Sequence, residues 1–143
     1  MDESTYIKER VDDQLGWFEK KSAVNQKRYR FIKILVLLLS AVLPFLAAID
    51  FNTSQLQLQR IIIGVIGIIV AVCEGVLMIN KYHEKWVEYR GTAELLKREK
   101  LLYLTKSGEY SRAKSPFNTF VVAIESILGE ENQSWKKYIA EDG

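Results

Sequence analysis

Two runs of apolar residues constrain this chain more than anything else in it. Phe31 to Ile49 and Ile61 to Ile79 are each 19 residues long, and each carries one charge: Lys33 near the start of the first, Glu74 late in the second. A hydrocarbon core of about 30 Å takes roughly 20 apolar residues as helix, and both runs reach that length. Burying both helices all round in a soluble bundle needs more covering chain than the roughly 100 charged and amphipathic residues left over can supply. The expected fold is an all-α membrane protein, a two-transmembrane helical hairpin with long cytoplasmic helical extensions and a C-terminal cytoplasmic helix. Lys33 is placed to snorkel toward head groups. Pro44 is tolerable in a spanning helix when a neighbour satisfies the carbonyl it frees, and a kink is expected there.

Basic residues near the runs set the orientation. Lys20, Lys21, Lys27, Arg28 and Arg30 precede the first run and Lys81, Lys85 and Arg90 follow the second, whereas the connection carries only Arg60. This asymmetry puts the connection outside and both termini in the cytoplasm. No secretory signal peptide is expected, because the first apolar run follows a long segment rich in acids as well as bases.

Averages hide this segregation: 27% of residues are charged, the net charge is +2 and the mean hydropathy is −0.05. So small a basic excess does not argue for nucleic acid as a partner. The single cysteine, Cys73, allows no internal disulfide and no thiol metal cluster, and its place in an apolar run fits a small hydrophobe. One histidine, His83, excludes a His-rich metal site. No glycine-rich phosphate loop, nucleophile elbow or metal-ligand spacing is present, so neither an enzyme nor a cofactor is expected.

The chain reads as a single domain of helical pieces. Residues 1–30 form a cytoplasmic helix from about Ser4, with Ile7, Val11, Leu15 and Phe18 in one stripe. Then come transmembrane helix 1 (31–49), an external loop (50–60) and transmembrane helix 2 (61–79). A cytoplasmic helix (80–105), a loop (106–115) and a C-terminal helix (116–143) complete the chain. Ile79, Tyr82, Trp86, Tyr89, Ala93, Leu96, Lys100 and Tyr103 fall at alternating spacings of 3 and 4, the seam of a helix packed along another helix. Unbroken from Gln59 to Thr105, that helix would be about 70 Å long. Ser115-Pro116 reads as N-cap and first helical residue. Phe117, Phe120, Val121, Ile124, Ile127 and Leu128 form an amphipathic stripe after it. Gly129 is placed to end or kink this last helix, and Trp135, Tyr138 and Ile139 make a terminal apolar patch.

Glu74 is the main candidate for chemistry. An acid in a spanning segment costs about 2.5 kcal/mol or more and usually faces a bundle interior or water. Gly67, Ala71 and Gly75 form a small-xxx-small face beside it, which permits close helix contact. In a symmetric oligomer the Glu74 side chains would converge in a ring of the kind that selects cations. The competing reading pairs Glu74 with Lys33 or a backbone carbonyl inside the hairpin. Asp50 and Asn52 at the outer mouth are candidates to collect cations, or simply the wet end of a helix. Tyr29, Tyr82 and Trp86 lie within reach of a membrane interface, where such rings collect. Arg90, Glu94 and Lys97 are spaced to pair with one another.

The arrangement Asp13-Gln14-Leu15-Gly16-Trp17-Phe18, Tyr29, Pro44 and Glu74 forms a recognisable pattern. It continues as Trp86-x-x-Tyr89-Arg90-x-x-Ala93-Glu94-x-Leu96-Lys97-x-Glu99, then Tyr110, Glu130-Glu131 and Trp135. From about Tyr6 to Trp135 the chain resembles a bacterial two-transmembrane family of unknown function. That family is similar to the SLATT (SMODS and SLOG-associating two-transmembrane effector) domains. The resemblance implies a membrane effector of the bacterial inner (plasma) membrane, pore-forming and used beside a nucleotide-sensing partner in conflict systems. With no sensor domain in the chain, the expected trigger is a separate protein or a small ligand. The expected function is therefore a homo-oligomeric, cation-permeable channel or pore-forming effector, with a cytoplasmic helical bundle that assembles and gates it. The alternative is a non-conducting membrane-anchored scaffold or sensor subunit that binds a cytoplasmic partner.

Overall fold

The computed structural model describes residues 2–49 and 56–141, with the side chains of Trp135 and of residues 138–141 outside that description. Every regular element among the described residues is helical. Helix α1 (Glu3–Tyr6) passes through a wider, π-type stretch (Ile7–Asp12) into α2 (Asp13–Ala48). Helices α3 (Leu56–Asn80), α4 (Tyr82–Leu104) and α5 (Pro116–Glu141) follow, with a short 3₁₀ turn (Gly108–Ser111) between the last two. Residues 1–22 and 87–143 form one compact unit, and residues 23–86 form another.

The first unit is built around an aromatic core. Val11 and Phe18 from the N-terminal helix meet Tyr89, Ala93, Leu96 and Tyr103 of α4 and Phe120, Ile124 and Leu128 of α5. Both stripes read from the sequence are thus buried faces, and each fully buried side chain contributes about 1.5–3 kcal/mol. Tyr6 joins the core as well, five residues before Val11. A 3.6-residue period does not put those two on one face, but the i to i+5 turn of the π-type stretch brings the chain round to it. The Phe120 ring stacks on Tyr103 at 4.3 Å and 14°, and Tyr110 from the 3₁₀ turn meets Tyr103 edge-on at 5.6 Å.

The second unit is an antiparallel helical pair whose register is read from three contacts. The rings of Tyr29 and His83 lie 5.1 Å apart, Lys33 reaches Glu74 at 3.0 Å, and the Gln59 amide donates to the carbonyls of Leu46 and Ile49. The last carbonyls of a helix have no partner within it, so Gln59 acts as a side-chain cap for α2. Helix α3 starts at Leu56, so residues 56–60, expected in the loop, are its first turn. Helix α2 continues through Pro44. The two apolar runs are bare: Phe31, Leu37, Phe45, Ile68 and Met78 are among the exposed residues, while Val36 and Leu77 are buried. Both helices are long and apolar enough to span a membrane.

The long helix expected from Gln59 to Thr105 is broken at Lys81, which adopts a left-handed backbone (φ 46°) between α3 and α4. The seam accordingly ends short of Ile79, which is 77% exposed. Gly129 neither ends nor interrupts α5, whose start at Pro116 is as expected. Past α4, the Ser107 N–H donates to the Leu102 carbonyl at 2.9 Å and the Lys106 N–H to the Tyr103 carbonyl at 3.0 Å. That is a Schellman cap, and its left-handed position holds Lys106 (φ 51°) where glycine is usual. A left-handed backbone costs a residue with a Cβ about 1–2 kcal/mol. Lys106→Gly is therefore expected to raise stability by up to about 1 kcal/mol and Lys106→Val to lower it, as read from thermal unfolding of the full chain.

Candidate functional site

Lys33 and Glu74 are the only charges in the two apolar runs, and the fold brings them together. The Lys33 ammonium donates to both carboxylate oxygens, at 3.0 and 3.2 Å. Each side chain is still about two-fifths accessible within one chain (38% and 44%), so the pair has an open side. Of the two readings of Glu74, pairing inside the hairpin is the one this geometry has. The small-residue face is open too: a Cβ added at Gly67 or Gly75 would meet nothing within 4 Å, and Ala71 is exposed. Among the described residues no close helix contact uses that face. Asp50 and Asn52 lie outside the described residues.

The remaining sequence candidates resolve into structural ties. Trp17 packs edge-on against Phe18 (5.0 Å) and Tyr89 (5.7 Å), with the Lys21 ammonium over its ring. Arg90 and Lys97 both reach Glu94, at 3.1 and 3.7 Å. Lys97 also binds Glu19 at 2.5 Å, a hydrogen bond that pushes the Lys97 ammonium above its ordinary range. Glu99 accepts a 2.5 Å hydrogen bond from Tyr110. In the other unit the Trp86 ring lies 5.4 Å from His83. Among the described residues no group of three or more His, Cys, Asp or Glu is placed to hold a metal ion.

Three polar ties had no sequence signal, because their partners lie far apart in the chain. Gln59 caps α2, and Lys100 binds Asp12 at 2.5 Å across 88 positions. Arg10 grips Glu125 through two nitrogens, at 3.0 and 2.9 Å, while the Tyr6 hydroxyl donates to the same carboxylate at 3.0 Å. The Arg10 hydrogen bonds are the main reason that the Glu125 carboxyl sits below its ordinary range. Burial, then the bond to Glu125, pushes the Tyr6 hydroxyl up to about 12. Burial and a hydrogen bond with Glu3 do the same to Tyr103, also to about 12. Tyr110 is raised still further by burial and its bond to Glu99.

These shifts set a stability profile. The depressed Glu125 contributes stability that is present above about pH 4.5 and lost as pH falls through its folded value. The pair is partly solvated, so its contribution is at most about 1 kcal/mol. Raised tyrosines contribute stability that is full below about pH 10 and lost as pH rises toward 12. Thermal scans against pH are expected to show a plateau between those limits. Tyr6→Phe should flatten the alkaline limb and return Glu125 toward an ordinary carboxylate, and an unchanged alkaline limb would count against this assignment.

No curated protein matches the sequence. No solved structure matches it either. One family does match, over residues 13–118, from the first residue of α2 into the first turn of α5, a stretch that holds Lys33, Glu74 and the whole seam from Ile79 to Tyr103. The chain belongs to that family, DUF4231, a group of proteins of unknown function.

Proposed function

We propose that this protein crosses the bacterial inner membrane twice, with both termini cytoplasmic, and works as a homo-oligomeric, cation-permeable channel of the SLATT type. The unit of residues 1–22 and 87–143 would be its cytoplasmic part, assembling the subunits and answering a trigger from a separate nucleotide-sensing partner. The observation that carries the reading is the Lys33–Glu74 pair, the one ion pair among the described residues of two apolar runs that are otherwise largely bare. Exposed apolar surface on that scale is unstable in water and marks a membrane or a partner. An ionisable pair at membrane depth is costly, and where it occurs it commonly belongs to an ion path or a gate. Held by Lys33, the Glu74 carboxylate is neutralised; freed from it, Glu74 would offer a cation a ligand in the wall.

The same pair supports a second reading, because an acid satisfied within one chain needs no ion. The hairpin would then be an inert anchor and the helical unit a scaffold or sensor surface.

Ion flux into liposomes holding only the purified protein separates the two. Under the channel reading, Lys33→Gln leaves Glu74 unneutralised and raises cation flux, whereas Glu74→Gln lowers it. The double exchange Lys33→Glu with Glu74→Lys restores the pair and changes the ion preference. Flux that is absent in all four proteins, or indifferent to the exchange, would leave the scaffold reading standing.

A further inference from the structure

We propose that one face of α2, residues 27–38, docks an acidic phospholipid, with its phosphate on Lys27 and Arg30 and an acyl chain along Phe31, Ile34 and Leu38. The inference rests on the membrane reading above and adds a ligand that reading does not contain. Those five positions are spaced 3, 1, 3 and 4 residues apart, which sets them on one face of a helix. All five are exposed, and the three apolar ones by 70%, 57% and 62%. Tyr29, roughly 200° round the helix from Lys27 at about 100° per residue, is the residue that turns to His83. The Lys27–Arg30 face is therefore not the one turned to the rest of the hairpin.

Among the described residues the two cations have no counterion of their own. Helix α2 carries no acidic residue from Lys20 to its end. Neither Lys27 nor Arg30 makes an ion pair among the described residues, whereas Lys33 is taken up by Glu74. Along one face the surface thus changes within a single residue from unneutralised cation to bare hydrocarbon. A lipid has that profile, with an anionic phosphate at one end and acyl chains beyond it. A free anion would match only the first part, and a soluble protein partner would leave the apolar part uncovered at membrane depth. Arginine adds a forked donor set suited to phosphate oxygens, and lysine adds a point charge.

The test is retention of lipid by the purified full chain, measured by native mass spectrometry with phosphatidylglycerol, phosphatidylcholine and inorganic phosphate as probes. Phosphatidylglycerol is expected to be retained over phosphatidylcholine. One cation beside an acidic head group is worth roughly fivefold in affinity, so Lys27→Gln or Arg30→Gln should each cut that preference about fivefold. Lys27→Arg should keep it, which separates loss of charge from misfolding. Arg28→Gln, about 100° round the helix, and Arg60→Gln, at the other end of the hairpin, should leave most of it. Equal losses from Arg28→Gln, retention of inorganic phosphate in place of lipid, or no head-group preference in the unsubstituted protein would each overturn the inference. Extraction of the protein from membranes by carbonate would instead remove the membrane reading on which it rests.

Discussion

A carboxylate and an ammonium, each alone in a run of apolar residues, have to find one another. Lys33 and Glu74 are 41 positions apart, and nothing else charged lies within either run. Leaving either unpaired in apolar surroundings costs several kcal/mol, far more than a misplaced leucine. The pair therefore selects the register of α2 against α3. The apolar surfaces alone would tolerate many registers, because leucine and isoleucine pack about as well one turn up or down. Tyr29 with His83 and Gln59 with the α2 carbonyls fall into line with that register at either side of it. Gln59 answers the same demand in the backbone, since its amide supplies donors to carbonyls that the end of a helix leaves without partners.

The other unit depends on shape more than charge. Its centre is a set of aromatic rings from four segments, and its ion pairs sit at the margin with both partners partly wet. The Trp-x-x-Tyr-Arg-x-x-Ala-Glu-x-Leu-Lys stretch makes sense in this light. Tyr89, Ala93 and Leu96 face the core, while Arg90, Glu94 and Lys97 lie beside it and tie α4 to itself and to Glu19. A motif that looks like a binding signature is here a packing face with its flanking clamps. Backbone strain is concentrated at the two ends of α4, where Lys81 and Lys106 take the left-handed conformation that glycine takes at lower cost.

Much of this architecture was legible in the sequence because it follows from period and length. Two apolar runs of 19 residues with one charge each, the stripe Val11–Leu15–Phe18, the seam Tyr89–Ala93–Leu96 and the Ser115-Pro116 start all rest on local rules, and local rules act in the unfolded chain as well. Tyr6 escaped because a π-type turn breaks the period that would have revealed it. The break at Lys81 escaped because a lysine carries no signal for a left-handed backbone. Residues 56–60 read as loop because their polar composition masks the first turn of a helix.

What the sequence by itself determined is the outline of the elements: that the chain is helical, which faces are apolar, and that two of its helices match the thickness of a bilayer. What only the tertiary structure decided is which polar groups meet. Glu74 with Lys33, Glu125 with Arg10 and Tyr6, Lys100 with Asp12 and Gln59 with Leu46 join residues far apart in the chain. Helix period fixes where a side chain points on its own helix. Partner choice also needs the relative register and rotation of two helices, and those emerge only when packing, charge pairing and backbone satisfaction are met together.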